Sequence, residues 1–165
     1  MKSGSIVLLF YLSASSFAAS SDSAFAPLRA YDGAWRVTRT SPAGQKPDEL
    51  VNQCSSIGQY FACQQSVNGA VSALLIFVPA DTPNRFYTQS VNPQGRALGK
   101  GDLEISGEKW VFTSTWDQGG KTIYYQTTNT FIGHDRIHFE QKESTNRRDW
   151  TTTSAGDDTR VHATH

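Results

Sequence analysis

From Trp35 onward the chain alternates between short segments rich in Thr, Val, Ile, Phe, Tyr and Trp and clusters of turn-forming residues. The breaks read SPAGQKP, SSIG, NGA, PADTPN, NPQGRALGKG, SGEK, DQGG, GHD and STNRRD. They divide the chain into about ten segments suited to a half-buried pleated surface. No window carries apolar residues at helical spacing for long enough to form a helix. The connections are short, so sequential strands pair as antiparallel hairpins. A meander of that many twisted strands either curls shut or leaves two exposed edges. A two-sheet sandwich needs long Greek-key crossovers, and no connection is long enough to carry one. The expectation is therefore an all-β fold, a single antiparallel up-and-down β-barrel of about ten strands over residues 31–161. Neither a second domain nor a repeat beyond the meander is visible.

The N-terminus reads MKSGSIVLLFYLSASSFAAS. Lys2, the apolar run Ile6 to Leu12, and the small residues Ser16 and Ala18 match the three regions of a secretory signal peptide, residues 1–18. The apolar run is far short of the ~20 residues of a spanning helix, so no integral membrane span is expected. Residues 19–30 are small and polar and read as a flexible lead-in, and 162–165 as a frayed C-terminus. The protein is expected to be exported, periplasmic or secreted. With 15 basic and 15 acidic residues the 165-residue chain lacks the basic excess of a nucleic-acid binder. Removal of the signal peptide leaves one more acidic than basic residue.

Export bears on the cysteines. Cys54 and Cys63 flank the turn SSIG, and facing positions of such a hairpin bring two Cβ atoms within bridging distance. An even count in an oxidising compartment favours a disulfide. Their spacing fits neither a Cys-x-x-Cys redox motif nor a usual zinc pair.

Alternation assigns faces. In RIHFEQKES the charged set Arg136, His138, Glu140 and Lys142 faces water, so Ile137, Phe139 and Gln141 face inward. The inward sets of the two preceding strands are Trp110, Phe112, Ser114 and Trp116, then Ile123, Tyr125, Thr127, Asn129 and Phe131. This inner face mixes aromatic with polar side chains. Buried polar groups need partners. Two dispositions supply them: a ligand-filled interior, or a position at the barrel mouth where water reaches them. The first gives a pocket for a small, partly apolar molecule, with Trp116, Tyr125, Asn129 and Gln141 as lining residues. The segment AVSALLIFVPA is apolar on both faces. Either the lead-in covers its outside with Phe25 and Leu28, or Ala73 to Val78 forms an interaction surface, such as a homodimer contact. The second case defines an alternative, an interaction module with a filled barrel.

Signals for chemistry are sparse. No Gly-x-Ser-x-Gly elbow, no phosphate-cradling loop and no matched acid, base and nucleophile occur. An isomerase or hydratase on such a barrel thus ranks behind the two binding readings. His134 and His138 would be ~13 Å apart along a strand, too far to share a metal, so no metal site and no cofactor is expected. Asp102 and Glu104 alternate with Leu103 and Ile105 and read as a solvated face. Arg147 and Arg148 read as a solvated turn.

Gly33-Ala34-Trp35 resembles the Gly-x-Trp that opens the first strand of lipocalins and related calycins. The resemblance implies that Trp35 packs across the closed end of a barrel, against an Arg from the end of the chain, here Arg160. Ten strands are closer to fatty-acid-binding-like or nitrobindin-like barrels than to eight-stranded lipocalins. The segment TSPAGQKPDELVN is too short for the helical lid of the former. The haem-ligating His of the latter has no inward counterpart at His138. The chain also looks similar to small exported lipocalin-like bacterial proteins of unknown function.

Overall fold

The computed structural model describes residues 24–162; the signal-peptide reading of 1–18 lies outside the described residues. Ten strands follow in chain order: β1 (Gly33–Ser41), β2 (Asp48–Ile57), β3 (Tyr60–Val67), β4 (Ala70–Pro79), β5 (Arg85–Val91), β6 (Ala97–Ser106), β7 (Lys109–Gln118), β8 (Lys121–Ile132), β9 (Arg136–Ser144) and β10 (Thr151–Arg160). Each strand pairs with its sequence neighbours, and β10 closes on β1 to complete the barrel. Every ladder is antiparallel, as expected of an up-and-down meander. The tight turn between β3 and β4 is Asn68-Gly69, both at positive φ (51° and 79°). That backbone matches the twist of the flanking strands and selects this residue pair. Cys54 and Cys63 stand directly opposite on β2 and β3 and form a disulfide.

The barrel is asymmetric along its axis. One end is closed by a 3-10 helix, Ala26–Tyr31, in the stretch read as a flexible lead-in. Phe25 and Leu28 are fully buried in the barrel core. The Phe25 ring stacks 5.8 Å from Phe61 and 6.4 Å from Phe86. Burial of a side chain of this size contributes about 1.5–3 kcal/mol. The lead-in thus fills the interior instead of covering the outside of β4. There Leu74 and Val78, with Tyr87 of β5, remain exposed (38%, 43% and 56%).

At the same end Trp35 pairs with Arg160 across β1 and β10. The Arg160 guanidinium lies 4.1 Å over the Trp35 ring. Its nitrogens donate to the carbonyls of His134 (3.0 Å), Asp32 (2.7 Å) and Ala30 (3.0 Å). One planar cation therefore ties together the plug, the start of β1 and the β8–β9 turn. Gly33 makes room for it. A Cβ there would stand 2.8 Å from Arg160 Nη1, and its φ of +114° is one that L side chains rarely adopt.

Candidate functional site

Above the plug, the interior opens into a cavity of about 250 Å3. Its floor is Tyr31, the last residue of the helix, whose ring meets Trp110, Phe112 and Phe131 edge-on at 5.0–6.0 Å. Asn129 Nδ2 donates to the Tyr31 hydroxyl in a short hydrogen bond. Burial pushes the Tyr31 phenol well above its ordinary pKa, the Asn129 bond opposes this, and the Asp158 charge adds to it. The phenol is therefore neutral throughout the physiological range. Leu50, Val67, Leu75, Phe77, Phe112 and Phe139 supply apolar wall. This follows from inward alternation on β2, β3, β4, β7 and β9.

Polar groups are set into that wall at particular points. Arg39 forms an ion pair with Asp48, joining β1 to β2 at the end opposite the plug. Hydrogen bonds from Arg39 and then Asn68 hold the Asp48 carboxyl below its ordinary pKa. Gln65 Nε2 donates to Asn52 Oδ1 (3.3 Å), and Asn52 Nδ2 donates to the Tyr31 carbonyl (3.3 Å). Asp158 differs from these. Its side chain lines the cavity, the residue is only 8% exposed, and its Oδ1 is buried with no hydrogen-bond partner. Burial pushes its pKa up to about 6; Arg39 pulls it down and Asp157 pushes it further up. Ser154, on the same face of β10, also presents a buried hydroxyl oxygen without a partner.

The expected lining residues separate into two pairs. Asn129 and Gln141 line the cavity with Thr127. Trp116 and Tyr125 do not. The β6–β7 ladder ends at Gly101↔Ser114, whereas β7–β8 continues to Gln118↔Lys121. Trp116 lies beyond the last β6–β7 pair and is 51% exposed. Tyr125 and Ser114 belong to a separate groove with Tyr124, Arg147 and Trp150. Arg147 stacks over Tyr124 there, 4.3 Å from the ring centre, so it is not simply a solvated turn residue. His138 lies on the outer face, where Nδ1 is 3.1 Å from Asp157 Oδ1. Among the described residues no cluster of three or more His, Cys, Asp or Glu side chains is placed to hold a metal, and no helix is long and apolar enough to cross a membrane.

Arg39, Asp48, Gln65, Ser154 and Asp158 are cavity residues that the face assignments from β7 to β9 did not reach. A signal for three of them is present. Counting by twos inward from the Trp35–Arg160 pair reaches Arg39 along β1, and Asp158 and Ser154 along β10.

The fold and site define a closed, ten-stranded antiparallel β-barrel, plugged at one end and hollow toward the other. Among solved structures the chain is similar to the crystal structure of Rv2717c from M. tuberculosis, at 13% sequence identity and a TM-score of 0.48. The superposition covers 84% of this chain and 98% of that one. No protein-family model and no curated protein matches the sequence.

Proposed function

We propose that this is an exported, non-enzymatic binding protein of calycin-like type that holds a small, partly apolar molecule inside its barrel. The observation that carries the reading is the 250 Å3 cavity, with aromatic and aliphatic walls and a few convergent polar groups, two of them buried and unpartnered. Such a combination supplies buried area and fixes orientation. At a liquid volume of about 30 Å3 per water, the space equals roughly eight waters, which suits a compact ligand. The disulfide fits an oxidising compartment.

Native mass spectrometry of protein purified from an exporting host, beside a denatured control, tests the reading. A mass increment present only in the native spectrum, and lost when Val67→Trp fills the cavity, is the expected result. A bare native mass, together with no thermal shift from a panel of compact aromatic and aliphatic compounds, would overturn it. The exposed Leu74, Val78 and Tyr87 on the outside of β4 and β5 favour a second reading, an interaction surface such as a homodimer contact. Sedimentation over a wide concentration range separates the two: a strict monomer removes the homodimer.

A further inference from the structure

Three charged side chains line the cavity: Arg39, Asp48 and Asp158. Arg39 and Asp48 neutralise one another in their ion pair. The charge left over belongs to Asp158, whose Oδ1 is buried and accepts no hydrogen bond. An ionised carboxylate is an acceptor only, and a desolvated one without a partner costs free energy. A ligand that brings both a positive charge and N–H donors to that oxygen removes the cost. Nothing of this kind is offered to a negatively charged ligand. Its natural partner, Arg39, is already engaged by Asp48, and Asp158 repels it. Phe77, Phe112 and Phe139 also line the same space, and aromatic rings attract cations and accept apolar groups alike.

We infer that the ligand class of this cavity is a small primary amine with an apolar body, its ammonium donating to Asp158 and its body packed against Phe112 and Phe139. This rests on the ligand-binding reading above and adds a charge selection to it. Asp158 sits between β1 and β9, opposite Val37 and Ile137. The titratable groups facing the same space are Arg39 from β1, Asp48 from β2 and Tyr31 from the plug. The inward residues of β9 that reach the cavity, Phe139 and Gln141, do not titrate.

Three probes with the same phenethyl body read the selection by calorimetry: 2-phenylethylamine, 2-phenylethanol and 3-phenylpropionate. The amine is expected to bind at least about tenfold tighter than the alcohol, as a charge-assisted hydrogen bond would give, with the carboxylate weakest. In Asp158→Asn the amine's advantage should vanish while the alcohol stays within about threefold of its wild-type affinity. In the wild type, the amine's affinity should fall as pH drops through about 6, where Asp158 takes up a proton, and the alcohol's should not. That second readout needs no variant. Binding of the alcohol with no preference for the amine would refute the charge selection and leave the cavity reading intact. Preference for the carboxylate would assign recognition to Arg39 instead and equally refute it. Failure of all three probes to bind would overturn both.

Discussion

Asp158 should act as a built-in cost to stability, and removing its charge should stabilise the protein. Burial is the main cause that lifts its carboxyl from an ordinary 3.8 to about 6. Between these values the folded state binds more protons than the unfolded state. Stability attributable to this group is therefore complete below about pH 4 and declines as pH rises to about 6. Above that it is constant at its lower level. At about 1.4 kcal/mol per pH unit, the shift corresponds to about 3 kcal/mol withheld at neutral pH. Asp158→Asn preserves the shape and cannot ionise. Its stability should match the wild type near pH 3.5 and exceed it by about 1–3 kcal/mol at pH 7.5, a rise of up to about 10 °C in Tm for a chain this size. The carboxyls of Asp48 and Asp157 are held low by Arg39 and Arg136, and their contribution runs oppositely, being lost on acidification. It is common to both proteins and cancels in the difference. Denaturant unfolding of the pair at several pH values from 3.5 to 8 measures that difference. A difference that does not vary with pH, or a variant less stable than wild type at pH 7.5, would refute the reasoning.

At the closed end, Arg160→Ala removes the Trp35 stack and three carbonyl partners and should cost about 2–4 kcal/mol; Arg160→Lys should recover less than half of that, because an ammonium cannot reproduce the planar fork. Gly156→Ala would set a Cβ 2.2 Å from the Thr38 carbonyl oxygen and 2.9 Å from Arg39 Cα, so the β1–β10 seam must shift; a loss of roughly 2 kcal/mol or more in a denaturation curve is expected, and an unchanged curve would show the seam to be pliant. Reduction of the Cys54–Cys63 bridge should lower stability by roughly 2–3 kcal/mol, read as a shifted melting curve with and without reductant.

The fold was legible because it is dictated by local pattern. Turn chemistry cut the chain into segments, and short connections left one topology open to them. Inward alternation on β7, β8 and β9 was equally local, and Phe112, Asn129, Phe139 and Gln141 occupy the sides that it assigned. Trp116 escaped this logic because its environment depends on where the pairing of β7 with β6 stops, which the pattern of β7 alone does not set. The plug escaped it for a similar reason. Phe25 and Leu28 belong to a short stretch with no period of its own, and they are buried because the barrel's end needs filling. Asp158 was the least legible. In the sequence it lies in the polar run DDTR, and its inward side follows only once Arg160 is taken as the partner of Trp35 and the strand is counted back by twos.

The two ends of the barrel contribute oppositely to stability. The plugged end concentrates fully buried Phe25, Leu28, Trp35, Phe61 and Leu103, and Arg160 locks it with four contacts. The other half holds a void, two unpartnered polar atoms and a carboxyl lifted by burial. Each of these lowers stability in the empty protein. Such costs persist in a marginally stable fold where function requires them, and the tightly packed end offsets them here. A ligand that meets Asp158 would recover part of that free energy as affinity. The same residue therefore links both tests: if the amine binds through Asp158, saturating amine should raise the wild-type Tm more than that of Asp158→Asn and narrow the stability gap between them, because the wild type binds it more tightly. An equal rise in both proteins would separate the cost of Asp158 from ligand recognition and place its origin elsewhere.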